Sequence, residues 1–257
     1  MVLLKGAVFV LAVLIYSVIG LAFKIMRLLF LSTAYFRAIS HWTKIFCRFL
    51  RSLLNIQVTL EGDAPSLRES GNLIISNHLS YLDGVILGSL FGLIYVSKAQ
   101  VKSWPLFGWM AQAGGTIFIE RGNKGKSLDY IQQVEQMLKR KVNVLVFPEG
   151  TSTNGEQLRE FQSVHFQSAL DAQAAILPLG IRYTKINQQA LDTQNRDRIC
   201  WYGQVKLPEH LFEVLKAQSI EVTVRIYHKV DASNHSSRKD LSESLHDVIA
   251  QGYPLFK

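Results

Sequence analysis

Residues 1–60 contain no aspartate or glutamate, yet they hold seven bases: Lys5, Lys24, Arg27, Arg37, Lys44, Arg48 and Arg51. The net charge of +8 therefore belongs to the N-terminus, since the remaining residues carry 21 bases against 20 acids. That balance, and the lack of any recognition motif, argue against a nucleic-acid partner. Cysteine is nearly absent. Cys47 and Cys200 are the only two and no CxxC pair occurs, which excludes a disulfide framework and a cysteine zinc site. There is no GxSxG elbow, so a serine hydrolase of that kind lacks its nucleophile. Charged residues are scarce at 19% against 48% hydrophobic, which excludes wholesale disorder and allows a sizeable core.

What the N-terminus does contain points to a membrane. Gly6 to Phe23 is a run of 18 residues without a charge. As a helix it would cover about 27 Å, against about 30 Å of hydrocarbon in a bilayer. From Lys24 to Leu54 bases recur among Phe30, Tyr35, Phe36, Trp42, Phe46 and Phe49. That mixture suits a basic amphipathic helix at an anionic membrane surface. Three readings stay open for the apolar run: a cleaved signal peptide, a transmembrane span, or a helix lying on the surface. The last two keep the protein on a membrane. The bases beyond Phe23 would then hold the globular part on the cytoplasmic face of the inner or plasma membrane. The expected division is an anchor over 1–54 and one domain over 55–257.

In that second part short apolar runs alternate with helix-like stretches. Strands are predicted at Gln57–Leu60, Asn72–Ser76, Ile94–Ser97, Thr116–Ile119, Val142–Phe147, Ile176–Tyr183, Cys200–Val205 and Ile220–Tyr227. Helices are predicted near Tyr81–Leu90, Pro105–Ala113, Lys124–Arg140, Ser163–Ala172, Glu209–Ala217 and Arg238–Gln251. Such alternation implies the α/β class, with a central mixed, mainly parallel sheet flanked by helices. The polar patches at 187–198 and 231–239 read as surface loops.

Three strand ends carry chemistry. The run Asn72–Ser76 leads into Asn77-His78, with Asp83 five residues after the histidine. A turn there lets the carboxylate hold one imidazole nitrogen, leaving the other to take a proton from a hydroxyl. The same spacing recurs at His235 and Asp240, but in a polar run with no strand before it. The second block, Gly114 to Gly122, ends its Ile-Phe-Ile run near Arg121, whose planar fork suits a phosphate. In the third, Val142 to Thr151, a strand runs into Pro148-Glu149-Gly150 and displays Glu149 at its end. A carboxylate so placed can accept hydrogen bonds from substrate hydroxyls, and nearby N–H groups can face an oxyanion. Pro178 interrupts the run Ile176 to Gly180, which suggests an edge strand or a pocket wall.

In order and spacing these blocks resemble the four motifs of the glycerolipid acyltransferase family. They are His78-x4-Asp83, Gly115-x-x-Phe118-Ile119-x-Arg121, Phe147-Pro-Glu-Gly-Thr151 and Leu177-Pro178-Leu179. The resemblance covers roughly residues 55–190. It implies transfer of an acyl chain from acyl-CoA or acyl carrier protein to the hydroxyl of a lysolipid, with membrane lipids as surroundings. No metal or cofactor is implied. His78 would be the general base, oriented by Asp83. Arg121 and Lys98 would bind the acceptor's phosphate, and Glu149, Gly150 and Thr151 would position the acceptor. Two departures bear on which acceptor. The family commonly continues Thr-Arg-Ser where this chain has Thr151-Ser152-Thr153, and Phe-Lys-Lys-Gly where it has Phe161-Gln-Ser-Val164. Both remove positive charge. Lysophosphatidic acid remains the first expectation, with lyso-ornithine lipid or another lysolipid the alternative; a non-catalytic membrane-surface lipid-binding protein, the alternative of another class, would leave the three polar strand ends without a role.

Overall fold

Apolar runs with β-branched residues pair into a nine-stranded sheet around which the helices pack. The computed structural model describes residues 2–29, 33–62, 71–120, 124–253 and 255–256. Two long helices come first, α1 (Val2–Leu29) and α2 (Thr33–Leu53). There follow β1 (Ile56–Gly62), β2 (Leu73–Ser76), α3 (Tyr81–Leu90), β3 (Leu93–Lys98), α4 (Phe107–Ala113), β4 (Ile117–Ile119), α5 (Lys124–Lys139) and β5 (Asn143–Val146). The chain continues through α6 (Gln167–Ala172), β6 (Ala175–Ile186), β7 (Gln189–Ala190), α7 (Leu207–Lys216), β8 (Ile220–Ile226), β9 (Val230–Asp231) and α8 (Arg238–Ala250).

The strand order is β1-β8-β6-β2-β5-β3-β4, with β7 and β9 each paired to β6. From β6 to β4 every pairing is parallel. The β6–β8 pairing is antiparallel, and it makes the sheet mixed. Along β2 the side chains alternate between two cores. Ile74 joins the residues under α1, α3 and α7, while Leu73 and Ile75 join those under α5 and α8. All four β2 residues are buried, as expected of a parallel strand covered on both faces.

Three expectations are revised. Pro178 lies in a central strand, β6. It is tolerated because β6 pairs with β9 at Ala175 and Ile176 and with β8 only from Leu179 onward, so the proline falls in the gap. Residues 200–205 form no strand. Cys200 is buried, and the Trp201 amide donates to the Leu79 carbonyl (2.8 Å), which ties this segment to the loop after β2. Finally, the aromatics of α2 do not all face outward. Tyr35, Phe36, Ile39, Phe46, Cys47 and Leu50 form a buried stripe at helical spacing. Two of its bases also serve the domain: Arg48 donates to the Ser89 carbonyl (3.2 Å) and Arg51 to the Ser89 hydroxyl (3.3 Å). Ser89 lies in the last turn of α3, where the helix dipole favours cations.

Candidate active site

The parallel strands β2, β5, β3 and β4 all point the same way, so their carboxyl ends share one edge of the sheet, the usual ligand position in open α/β folds. His78 follows β2, Pro148 and Glu149 follow β5, and Lys98 ends β3. Arg121 lies outside the described residues.

The H-x4-D spacing is a product of helix capping. Ser80 is the N-cap of α3, and Asp83, three residues into it, reaches back to the Ser80 amide (2.9 Å). The same oxygen, Oδ2, accepts from the Leu79 amide (2.6 Å) and from His78 Nδ1 (2.8 Å). Oδ1 accepts from the Tyr183 hydroxyl (2.6 Å), delivered from β6. Asp83 is fully buried, and four donors satisfy its carboxylate. With Nδ1–H donated to that carboxylate, the lone pair of the neutral ring sits on Nε2. Phe147 stacks on the imidazole at 4.0 Å between ring centroids and 11° between planes, which fixes its orientation.

The second H-x4-D pair is built similarly, except that its aspartate accepts from the Ser236 amide and not from that of the N-cap Ser237. Ser237 caps α8, Asp240 occupies the matching position, and His235 Nδ1 lies 3.2 Å from Asp240 Oδ2. The surroundings differ. The Asp240 side chain is 48% exposed, whereas that of Asp83 is 0% exposed. His78 lines the cavity described below, which His235 does not.

Glu149 is not displayed to solvent. Its Oε1 accepts from the His78 amide (2.7 Å) and its Oε2 from the Arg159 amide (3.1 Å), leaving it 3% exposed. Burial pushes its carboxyl up to about 7, against the opposing pull of those two amides. The carboxylate thus holds the backbone that carries His78. Gly150 adopts a positive φ of 69°, and its amide donates within the turn to the Phe147 carbonyl (2.9 Å). That donor is therefore already engaged within the turn. The Thr153 amide donates to the His78 carbonyl (2.9 Å), joining the loops after β2 and β5. Ser152, where a family arginine is common, donates its hydroxyl to the Trp201 carbonyl.

A cavity of about 430 Å³ adjoins His78. Gly150, Thr151 and Lys98 line its sheet-edge end. Phe9 and Tyr16 of α1, with Phe46 and Leu50 of α2, line its apolar side. Gly88 lets α3 lie close to this wall, since a Cβ there would meet the Tyr95 hydroxyl at 1.9 Å and Cys47 Sγ at 2.8 Å. Arg182 on β6 is exposed and does not line the cavity. Of the expected residues, the fold brings together His78, Asp83, Glu149, Gly150, Thr151 and Lys98. Tyr183 had no signal in the sequence, because it lies 100 residues from Asp83 in an ordinary buried strand. Among the described residues no group of three or more metal-ligating side chains occurs.

Residues 56–182 match the model of a family described as Acyltransferase. A lyso-ornithine lipid O-acyltransferase from Pseudomonas aeruginosa is 36% identical over 78% of this chain and 73% of its own length. A 1-acyl-sn-glycerol-3-phosphate acyltransferase from Neisseria gonorrhoeae is 29% identical over 77% and 76%. The crystal structure of the 1-acyl-sn-glycerophosphate acyltransferase from Thermotoga maritima shares the fold at a TM-score of 0.61, with 17% identity over 98% of this chain and 96% of that one.

Proposed function

Because the chain belongs to the glycerolipid acyltransferase family, we propose that it moves an acyl chain from a thioester directly to a lysolipid hydroxyl, with His78 as general base. The observation that carries this reading is the His78–Asp83 pair set beside a cavity that is polar at the sheet edge and apolar toward the N-terminal helices. Nε2 of His78 takes the proton as the acceptor oxygen bonds to the thioester carbonyl carbon. The tetrahedral intermediate then breaks its C–S bond, and the departing sulfur receives the proton from the imidazolium. Asp83 stabilises that imidazolium, as a buried carboxylate on Nδ1 does elsewhere. Glu149 positions the His78 backbone, and Lys98 with Arg121 attracts the acceptor's phosphate. Gly150 and Thr151 line the acceptor end. The acyl chain occupies the apolar side, and the donor is acyl-CoA or acyl carrier protein.

The apolar helix near the N-terminus associates the protein with membranes. In this reading residues 55–257 carry the chemistry, on the cytoplasmic face. Residues 1–54 supply the membrane side, with α2 also filling the core.

Lysophosphatidic acid fits the acceptor end. A specific observation favours lyso-ornithine lipid as the second reading. The position of a common family arginine holds Ser152, whose hydroxyl is spent on Trp201, and the 36% relative is named for that acceptor. Membranes containing the protein, given labelled acyl-CoA or acyl carrier protein and a panel of lysolipids, test both. Labelled phosphatidic acid or ornithine lipid identifies the acceptor. No labelled diacyl product with any acceptor would end the proposal. If the native acceptor is the less anionic one, Ser152→Arg improves lysophosphatidic acid use and harms the native reaction.

A further inference from the structure

The cavity beside His78 is lined in part by three aromatic rings set at steep angles to one another. Trp104 and Trp201 are nearly perpendicular, at 89° with centroids 5.8 Å apart. Tyr81, in the first turn of α3, meets Trp201 at 66° and 5.8 Å. All three line the cavity and are partly exposed. Trp201 is held at three points. Its amide donates to the Leu79 carbonyl (2.8 Å), its carbonyl accepts from the Ser152 hydroxyl, and its indole N–H donates to the Val205 carbonyl (2.8 Å). The Tyr81 hydroxyl pairs with Nδ1 of the buried His210 (3.1 Å). With that hydroxyl and that indole N–H engaged, Tyr81 and Trp201 offer a ligand their π faces.

Charge is placed unevenly around these rings. Among the described residues no aspartate or glutamate lines the cavity, while Lys98 does. Lys98 precedes and Trp104 follows the short 3₁₀ turn Ala99–Ser103, so a cation and an indole stand at its opposite ends. Ring faces without a carboxylate suit a cation that must be held without an ion pair, and indole binds cations best of the aromatic side chains. Ser152 points the same way. Where a family arginine is common, this chain has a serine that fastens Trp201, so a positive side chain gives way to a fixed ring. We propose that Tyr81, Trp104 and Trp201 form an aromatic box for the ammonium of the acceptor's headgroup, while Lys98 takes the acid group of the same headgroup. The acceptor class that such a box selects is a zwitterionic amino-acid lysolipid, with an ammonium and a carboxylate. This rests on the acyl-transfer reading above and gives its second acceptor a recognition site.

The test measures binding of labelled lysolipid to the full-length chain in detergent micelles, without an acyl donor. Three forms of lyso-ornithine lipid are compared. One has the free side-chain ammonium, one has that nitrogen acetylated and so uncharged, and one has it trimethylated, which adds bulk but keeps the charge. The wild type should bind both charged forms about tenfold more tightly than the acetylated one. In Trp104→Leu that preference should fall close to one, and in Trp104→Phe, which keeps a ring face, it should be intermediate. No preference in the wild type, or the full preference in folded Trp104→Leu and Trp201→Leu, would overturn the proposal. So would equal weakening by acetylation and trimethylation, since the rings would then only exclude bulk. The wild-type comparison needs no variant, so it decides even where a variant fails to fold. Absence of labelled diacyl product from any acceptor, with the charge preference intact, would end the transfer reading and leave the box standing.

Discussion

Asp83 and Asp240 show that a histidine–carboxylate pair at this spacing comes readily with a capped helix, and that environment decides what it can do. Both lie three residues after a serine N-cap and near a histidine ring, but Asp83 bonds back to the cap's own amide whereas Asp240 accepts from the Ser236 amide. Asp83 differs in being buried and in receiving the Tyr183 hydroxyl. Tyr183→Phe leaves one oxygen of a buried carboxylate without its donor. The expected cost is about 2 kcal/mol of stability, with a drop in kcat and little change in KM as the ring loosens. A urea midpoint and a kcat both equal to wild type would contradict that. Glu149 makes a pH prediction. Its carboxyl is raised to about 7 in the fold, so the native state binds its proton more tightly than the unfolded chain does. Its contribution to stability is therefore full below the ordinary carboxylate range, declines as pH rises toward about 7, and is flat above that. The difference amounts to about 3 kcal/mol at most. Glu149→Gln gives up one amide acceptor and should destabilise at both pH 5 and pH 8, but by less at pH 8. An equal or larger loss at pH 8 than at pH 5, read from urea unfolding, would refute the assignment.

At the scale of elements, α2 is where lipid and protein compete as explanations of one pattern. A basic helix with an aromatic stripe reads the same whether the stripe meets a membrane or a sheet. Here Tyr35, Phe36 and Ile39 enter one core and Phe46 and Leu50 the other. Deleting residues 1–54 should thus leave both cores open and give an aggregated product without cooperative unfolding. A soluble truncation with a sharp thermal transition would contradict this. Gly88→Ala probes the cavity wall from α3. Its Cβ would displace the Tyr95 hydroxyl and Cys47, so the longest acyl donors should lose the most kcat/KM. A uniform loss across chain lengths would place the apolar pocket elsewhere. Strands rich in Val, Ile and Leu, such as β2 and β5, were legible because their runs are short and bounded by turns. The segment 200–205 was not. Cys200 is buried and the Trp201 amide is tied to the loop after β2, and an apolar run does not distinguish a strand from a loop packed on a site. Pro178 misled for a related reason, since the gap between two partners of one strand leaves no trace in the sequence.

The whole molecule brings the carboxyl edge of a parallel sheet against a pair of N-terminal helices, and the cavity lies between them. Motif order and spacing pointed to residues that the fold gathers at the sheet-edge end of the cavity, namely His78, Lys98, Gly150 and Thr151. The other half, Phe9, Tyr16, Phe46 and Leu50, comes from residues whose composition spoke only of membrane. In the proposed reading a lysolipid headgroup and an acyl chain take adjoining places on either side of His78, and transfer proceeds without an acyl-enzyme. The account stands on His78. Its most direct measurement is labelled acyl transfer to lysolipid by His78→Ala and His235→Ala, each shown to be folded. His78→Ala should lose about 10²–10⁴-fold or more in kcat, and His235→Ala should match the wild type. Equal rates in the two folded variants would contradict the account.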